Sequence, residues 1–378
     1  MNRVNLWSPT LEMVLGLFDA DGSFQVKIYH GIQNNISFHV NIVFTQKSEN
    51  KDVLQSVLNK LEAKNLIISK RQISNQSGTK SSGSSICLAF SNKASKQLLK
   101  KWKVKPPAAP TKCLDYFIAK ILFEASKKNC VIIINSYFKN NHVKNKRVAE
   151  FALIWLRYKM SFAQKLKPQQ TSIEIHYEKM KGSQEEINNG TIIGKKILTQ
   201  LKQKVLKNNS NLINSITEGR LLGYMIGDGS FMIQTHFSTN NSFKATFSWT
   251  LTDCKENFPL LNTIRNKFIR EGIADYVGIA FYNNSYYRLR VGGIKNCKRL
   301  INCWENVSLP RERKNQFDCF SKALILYTSN NFRSNENLMK EFIRLKWRMN
   351  VHTNYKKKGS IEKDFHKILQ VFKVRNSL

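Results

Sequence analysis

The sequence predicts an α+β protein made of two pseudo-symmetric αββαββα repeats, and three observations lead there. Two fragments nearly repeat: VLGLFDADGSF at residues 14–24 and LLGYMIGDGSF at residues 221–231. Each is followed by two runs of alternating apolar and polar residues, the period-2 pattern of half-buried antiparallel strands. Each pair of runs then leads into a helix whose apolar residues recur every three or four positions.

The repeat reaches well beyond the fragments, which separates duplication from a chance match. Asp21 and Asp228 are 207 positions apart (228 − 21), and the same offset pairs Gln46 with Asp253 at the ends of matching strand-like runs. Farther on, Lys93 pairs with Lys295, Trp102 with Trp304 and Lys112 with Lys314 at an offset of 202, so the second copy is shorter in between. The Ser/Gly-rich SNQSGTKSSGSS of residues 74–85 marks the place and reads as a loop. YKMS at 158–161 resembles WRMN at 347–350. The chain therefore divides into an N-terminal half, 1–166, a connector, 167–214, and a C-terminal half, 215–378. That division suits a 378-residue chain with two separate cores.

The individual elements follow from patterning. In the first copy Phe24, Val26 and Ile28 alternate with Gln25, Lys27 and Tyr29, and Phe38, Val40, Ile42 and Phe44 alternate with Ser37, His39, Asn41 and Val43. In the second, Phe231, Ile233 and Phe237 face inward while Met232, Gln234, His236 and Ser238 face outward. The next run sets Phe243, Ala245, Phe247, Trp249 and Leu251 inward against Lys244, Thr246, Ser248 and Thr250 outward. The helices at 51–64 and 256–269 cover the inner faces, through Val53, Leu54, Val57, Leu58 and Leu61 and through Phe258, Leu261, Ile264 and Phe268. A further strand pair at 276–282 and 286–292 places Tyr286, Arg288 and Arg290 opposite Tyr287, Leu289 and Val291, and helices at 93–102 and 295–304 run into proline-containing turns. The connector ends in a helical stretch with Ile193, Ile197, Leu201 and Val205 on one side, expected to pack on one domain.

Charge selects the partner class. Sixty-one Lys and Arg against 26 Asp and Glu give a net charge of +35, which points to a polyanion. The outward strand faces are polar and almost free of acids, a composition suited to reading base edges in the major groove of double-stranded DNA. The candidates for that role are Gln25, Lys27, Tyr29, Ser37, His39, Asn41, Gln234, His236, Ser238, Lys244, Thr246, Ser248, Arg288 and Arg290. No apolar run approaches the ~20 residues of a membrane span. The seven cysteines are odd in number and lack a CxxC pair, which argues against a zinc site and a disulfide framework and for buried thiols in a reducing compartment. MNRVNLWSPT lacks the apolar core of an export signal. Abundant Asn and Lys fit an AT-rich genome, and a mitochondrial or chloroplast origin is the expectation.

The paired fragments and the αββαββα repeat resemble the LAGLIDADG homing endonuclease and maturase family in its two-motif, single-chain form. The resemblance implies that the two motif helices pack side by side, with Gly16 and Gly223 allowing close approach, beneath antiparallel sheet saddles that lie over DNA. It implies that Asp21 and Asp228 are metal ligands and catalytic residues, one for each DNA strand, with the carbonyls of Ala20 and Gly227 as further ligands. Gln46 and Asp253 match the family's water-organising positions, and Lys112 and Lys314 its active-site lysines. The cofactor is expected to be Mg²⁺, a hard cation suited to oxygen donors. Ile226 stands where the first copy has Asp19, so one upstream acid is missing. The function expected is metal-dependent, site-specific double-strand cleavage of a long asymmetric DNA target by a monomer, encoded within an intron. The alternatives are an intron maturase that binds RNA, with or without nuclease activity, and a DNA-binding regulator that does not cut.

Overall fold

The computed structural model describes residues 7–31, 35–47, 50–65, 73–76, 85–90, 92–102, 106–137, 143–161, 173–214, 216–237, 243–282, 284–349 and 360–376. The chain forms two compact units, Pro9–Tyr224 and Met225–Leu378, the latter joined by the N-terminal residues through Ser8. The division between the units falls at Tyr224/Met225, and the described connector residues 173–214 lie in the first unit.

The first unit runs α1 (Leu11–Asp21), β1 (Gly22–His30), β2 (Ile36–Lys47), α2 (Lys51–Ala63), β3 (Ser74–Gln76), β4 (Ser85–Phe90), α3 (Asn92–Trp102), α4 (Pro110–Ala125), α5 (Cys130–Tyr137), α6 (Lys146–Tyr158), α7 (Ile173–Met180) and α8 (Gln184–Asn214). Helix α9 (Glu218–Asp228) straddles the boundary. The second unit continues with β5 (Gly229–Phe237), β6 (Phe243–Cys254), α10 (Phe258–Arg270), β7 (Val277–Tyr282), β8 (Tyr286–Gly292), α11 (Ile294–Trp304), α12 (Arg311–Tyr327), α13 (Glu336–Met349) and α14 (Ser360–Asn376). The αββαββα order is thus realised twice, and the C-terminal helices follow it in each case.

Each unit holds one four-stranded antiparallel sheet, ordered β1-β2-β4-β3 and β5-β6-β8-β7. Gly22 pairs with Phe44 and Gly229 with Leu251, so the 207-residue offset holds strand by strand. Residues 74–76, read from composition as loop, form the short edge strand β3. The inner faces are buried as the alternation requires. In the first unit Phe18 packs edge-on against Phe24 and Phe44, and Phe44 against Phe90. In the second, Phe247 packs on Phe320, and Trp249 on Phe268 and Trp304. Phe258, expected inside, stands at the start of α10, 38% exposed, against Tyr287. Five of the cysteines are buried, Cys254 is half-buried and Cys303 is exposed, so the thiols are not uniformly interior.

Helix α1 begins where Thr10 Oγ1 accepts the Met13 N–H at 3.2 Å, with Glu12 in the first turn, both favourable at a helix N-terminus. It ends at Asp21-Gly22, but Gly22 has φ −79°, so no left-handed turn calls for glycine there. Space does: a Cβ at Gly22 would lie 2.1 Å from the Phe18 ring. The same argument governs the crossing of α1 with the first turns of α9. A Cβ on Gly16 would lie 1.9 Å from the Arg220 carbonyl oxygen, and one on Gly223 1.9 Å from the Met13 carbonyl oxygen. The two contacts repeat at the 207 offset, so the helices meet backbone to backbone with a two-fold register.

The connector helix α8 lies against α6, where Gly190 and Gly194 make room for Phe151 and Trp155. Ile197, Leu201 and Val205 are buried, as expected for an amphipathic helix packed on one domain. Helix α7 braces β1: His30 Nε2 and His176 Nδ1 are 2.8 Å apart and their rings stack.

Two outcomes are expected. Gly16→Ala and Gly223→Ala each lower unfolding free energy by about 1–3 kcal/mol, the usual cost of overpacking, in urea titrations. Gly31→Ala, whose added methyl would meet nothing nearer than an oxygen at 3.6 Å, changes it little. Burial, with help from the charges of His30, Arg157 and Lys179, pushes the His176 imidazole down from 6.5 to about 4. Between those values the unfolded chain binds a proton the folded chain resists. The melting temperature should therefore be full above pH 6.5 and fall as the pH drops toward 4, and His176→Phe should flatten that fall.

Candidate functional site

In the first unit the site is assembled from the C-terminus of α1, the end of β2 and the start of α4. Asp21 is the last residue of α1 and half-buried. Gln46, near the end of β2, donates from Nε2 to Asp21 Oδ2, and Asn50 Nδ2 donates to Gln46 Oε1 at 2.9 Å, which fixes the amide with its N–H₂ toward the carboxylate. Lys112 donates from Nζ to the Gly22 carbonyl, directly after Asp21. Asp21, Gln46 and Lys112 are thus brought together as expected. Ala20 lies in the last turn of α1, where carbonyls are not used by the helical ladder.

Asp19 has a different role from Asp21. Only 3% exposed, it accepts Arg220 Nε at 2.7 Å and the Ala108 N–H at 2.9 Å, while a second Arg220 nitrogen donates to the Pro106 carbonyl at 2.8 Å. Burial pushes the Asp19 carboxyl up, and the charge and hydrogen bonds of Arg220 and the Ala108 N–H pull the other way. The pair clamps the turn that leads into α4. Since α4 carries Lys112 in its first turn, Asp19 and Arg220 position that lysine without being part of the site.

In the second unit, Asp228 ends α9 and is half-buried. The carbonyls on either side of it, Gly227 and Gly229, each accept an Arg313 guanidinium N–H at 2.7 Å, and Arg313 also reaches Gln316 Oε1 at 3.1 Å. The Gly227 carbonyl, expected as a metal ligand, thus already faces a cation. Lys314 is placed elsewhere: its Nζ pairs with Asp318 at 2.9 Å and lies over the Phe317 ring, both charged groups being nearly half exposed. Asp253 occupies the Gln46 position, and its carboxylate accepts the Cys254 N–H at 2.7 Å and Asn257 Nδ2 at 2.9 and 3.0 Å. A carboxylate there has no proton to give a second carboxylate, whereas Gln46 donates to Asp21.

Three residues escaped the sequence reading. Asn50 and Asn257 are 207 apart, both are N-cap residues of the following helix, and neither caps it with its side chain, because the amide serves Gln46 or Asp253 instead. The offset could have revealed them. Arg313 was missed because one loop changes length: seven residues separate α3 from α4, and six separate α11 from α12. The offset of 202 at Trp304 becomes 201 at the start of α12, and Arg313 takes the third helical position that Lys112 holds in α4.

The outer sheet faces carry most of the expected contact residues. Lys27, Tyr29, His39, Gln234, His236, Lys244 and Arg290 are exposed, and Gln25, Ser37, Asn41, Thr246 and Arg288 are half-buried. Ser248 is a correction: it lies on the predicted face but is 2% exposed, in the middle strand between Met232 and Gly292. On the paired strand Met232 Sδ accepts the Thr250 hydroxyl at 3.6 Å. Ser238 lies outside the described residues. Among the described residues no three His, Cys, Asp or Glu side chains gather as a metal cluster. What the sites offer is a carboxylate with adjacent backbone carbonyls, an oxygen set that suits a hard divalent cation retaining much of its water. The first site fits that role directly. The second fits through Asp228, with Gly227 shared with Arg313.

The sequence profile of the LAGLIDADG endonuclease family matches residues 221–324, most of the second copy. No curated protein sequence matches the chain significantly. Among solved structures, I-SmaMI bound to uncleaved DNA target in the presence of calcium ions is similar over 90% of this chain and 98% of its own, with 14% identity and a TM-score of 0.60. The LAGLIDADG homing endonuclease I-GzeII in complex with DNA target aligns over 93% and 100%, with 14% identity and a TM-score of 0.59. The I-LtrWI LAGLIDADG homing endonuclease bound to target DNA aligns over 90% and 97%, with 12% identity and a TM-score of 0.61.

The clamp beneath the first site makes a stability prediction. Arg220→Met leaves Asp19 buried without its counter-charge and should cost about 3–5 kcal/mol, whereas Asp19→Leu combined with Arg220→Met should recover most of that loss. Urea midpoints of the single and double variants test this, and additive losses would show that the pair does not act as a unit.

Proposed function

We propose that this chain belongs to the LAGLIDADG family in its two-motif, single-chain form and is a metal-dependent, site-specific double-strand DNA endonuclease. The observation that carries the reading is that each copy ends its motif helix in a half-buried aspartate whose neighbouring carbonyl is bonded by a cation from the first turn of a later helix. Each aspartate follows its crossing glycine by five residues, about 7.5 Å along its helix, so the same chain geometry leads to both carboxylates. One carboxylate serves each DNA strand.

The reaction is hydrolysis of a phosphodiester. A water oxygen forms a bond to phosphorus, the bond to one sugar oxygen breaks, the attacking water releases a proton to solvent and the leaving oxygen takes one up. Mg²⁺, when bound, makes the water more acidic and neutralises charge on the phosphate and leaving oxygen. Asp21 and Asp228 would hold the ions, with the Ala20 carbonyl as a further oxygen donor. Gln46, oriented by Asn50, holds the Asp21 carboxylate in place and can order water beside it. Lys112 places a positive charge where the phosphate gathers negative charge. The net charge of +35 draws the duplex in, and exposed Lys27, Lys244 and Arg290 on the outer faces contact it. The neighbouring structures that hold DNA support the same partner.

The test is a cleavage selection on a plasmid library carrying randomised or host-genome inserts, with Mg²⁺, run beside Asp21→Asn and Asp228→Asn. Wild type should break both strands at one defined site, and each variant should leave at most a nick. A folded wild type that cuts nothing but binds its intron RNA tightly would instead establish the maturase.

A further inference from the structure

We propose that Arg313 is the active-site cation of the C-terminal half, the place that repeat spacing gives to Lys314. The assignment deepens the endonuclease reading and rests on it. Two equivalences and one exclusion support it. The first is the atom contacted: Lys112 donates to the Gly22 carbonyl, and Arg313 donates to the Gly229 carbonyl, the equivalent atom at the 207 offset. The second is helix position, since Lys112 and Arg313 are each the third residue of α4 and α12. The third is the alternative: Lys314, itself nearly half exposed, is engaged with Asp318 and Phe317 of its own helix.

The chemistry of the side chain adds a difference between the halves. A guanidinium is a planar fork whose N–H groups can serve two acceptors at once. Arg313 uses that fork to span Gly227 and Gly229, the carbonyls before and after Asp228, with Gln316 Oε1 holding the same nitrogen that serves Gly229. A lysine instead presents its donors from one compact ammonium, and Lys112 donates to the carbonyl after Asp21. Arg313 therefore fixes the backbone on both sides of its catalytic aspartate and keeps its charge at every working pH. Its charge beside Asp228 stabilises the phosphate of the strand cut there, the same task Lys112 performs for the other strand.

The experiment uses the full chain and the target duplex recovered in the selection above, with each strand carrying a different 5′ dye. Arg313→Ala should slow one strand by about 10²–10³, the loss typical of removing one charge-stabilising donor, so that nicked duplex accumulates while the other strand is cut normally. Arg313→Lys should restore much of that strand's rate, because the charge returns without the fork. Lys314→Ala should cut both strands at the wild-type rate. Duplex affinity with Ca²⁺ in place of Mg²⁺, and melting temperature, should be preserved in all three. The assignment is overturned if Arg313→Ala cuts both strands normally, if it slows both equally with a lowered melting temperature, or if Lys314→Ala produces the nick. A wild type that cuts neither strand overturns the endonuclease reading and this assignment with it.

Discussion

Everything in the first unit's site hangs on the contact of α1 with the start of α9. At Gly16 and Gly223 the two backbones approach so closely that a single methyl group would overlap a carbonyl oxygen. Such an approach leaves little room for water, so polar side chains beside it must find protein partners. Asp19 and Arg220 do so with each other and with the backbone of residues 106–108. The crossing thereby dictates the course of the chain into α4, and α4 in turn delivers Lys112 to the end of α1. A close helix contact, a buried ion pair and the placement of the Lys112 ammonium form one mechanical sequence.

The two halves share this frame and differ in the chemistry mounted on it. Asn50 and Asn257 occupy equivalent helix starts and turn their amides to equivalent strand ends. One meets a glutamine that donates to the Asp21 carboxylate, the other an aspartate that is held by its own turn. One helix brings a lysine to the carbonyl after the aspartate, the other an arginine that reaches the carbonyls on both sides. Under the proposed function a pseudo-symmetric protein has no need for identical sites, only for equivalent positions of charge.

The duplication, the strand pairing and the inward residues could be read directly from residue types, because burial on one side of a strand imposes a period that survives divergence. The register of the first hairpin in each copy follows the motif offset without slippage. What escaped was depth and local length. Alternation tells which side of β6 Ser248 is on, but not that a small side chain on a middle strand disappears between Met232 and the neighbouring strand. An offset carried across a turn fails when the turn loses a residue, which is how Lys314 came to stand in for Arg313. Gly22 is required because the Phe18 ring fills the space a side chain would need, a tertiary contact that residue types along the chain do not state. In the connector, Gly190 and Gly194 seat a 31-residue helix on α6, a closeness of packing that apolar spacing does not specify.

The Asp19–Arg220 pair is not repeated by the symmetry that repeats the glycine contacts. At the equivalent positions stand Ile226 for Asp19 and Met13 for Arg220. A motif helix of the first kind meeting another of its own kind would bury an acid against methionine, and two of the second kind would bury a guanidinium against isoleucine. Either self-association leaves a desolvated charge with no answer, whereas the mixed pair has one. The ancestor of a duplicated protein is free to be a homodimer. In this chain α1 and the first turns of α9 meet as unlike partners, matched through Asp19 and Arg220.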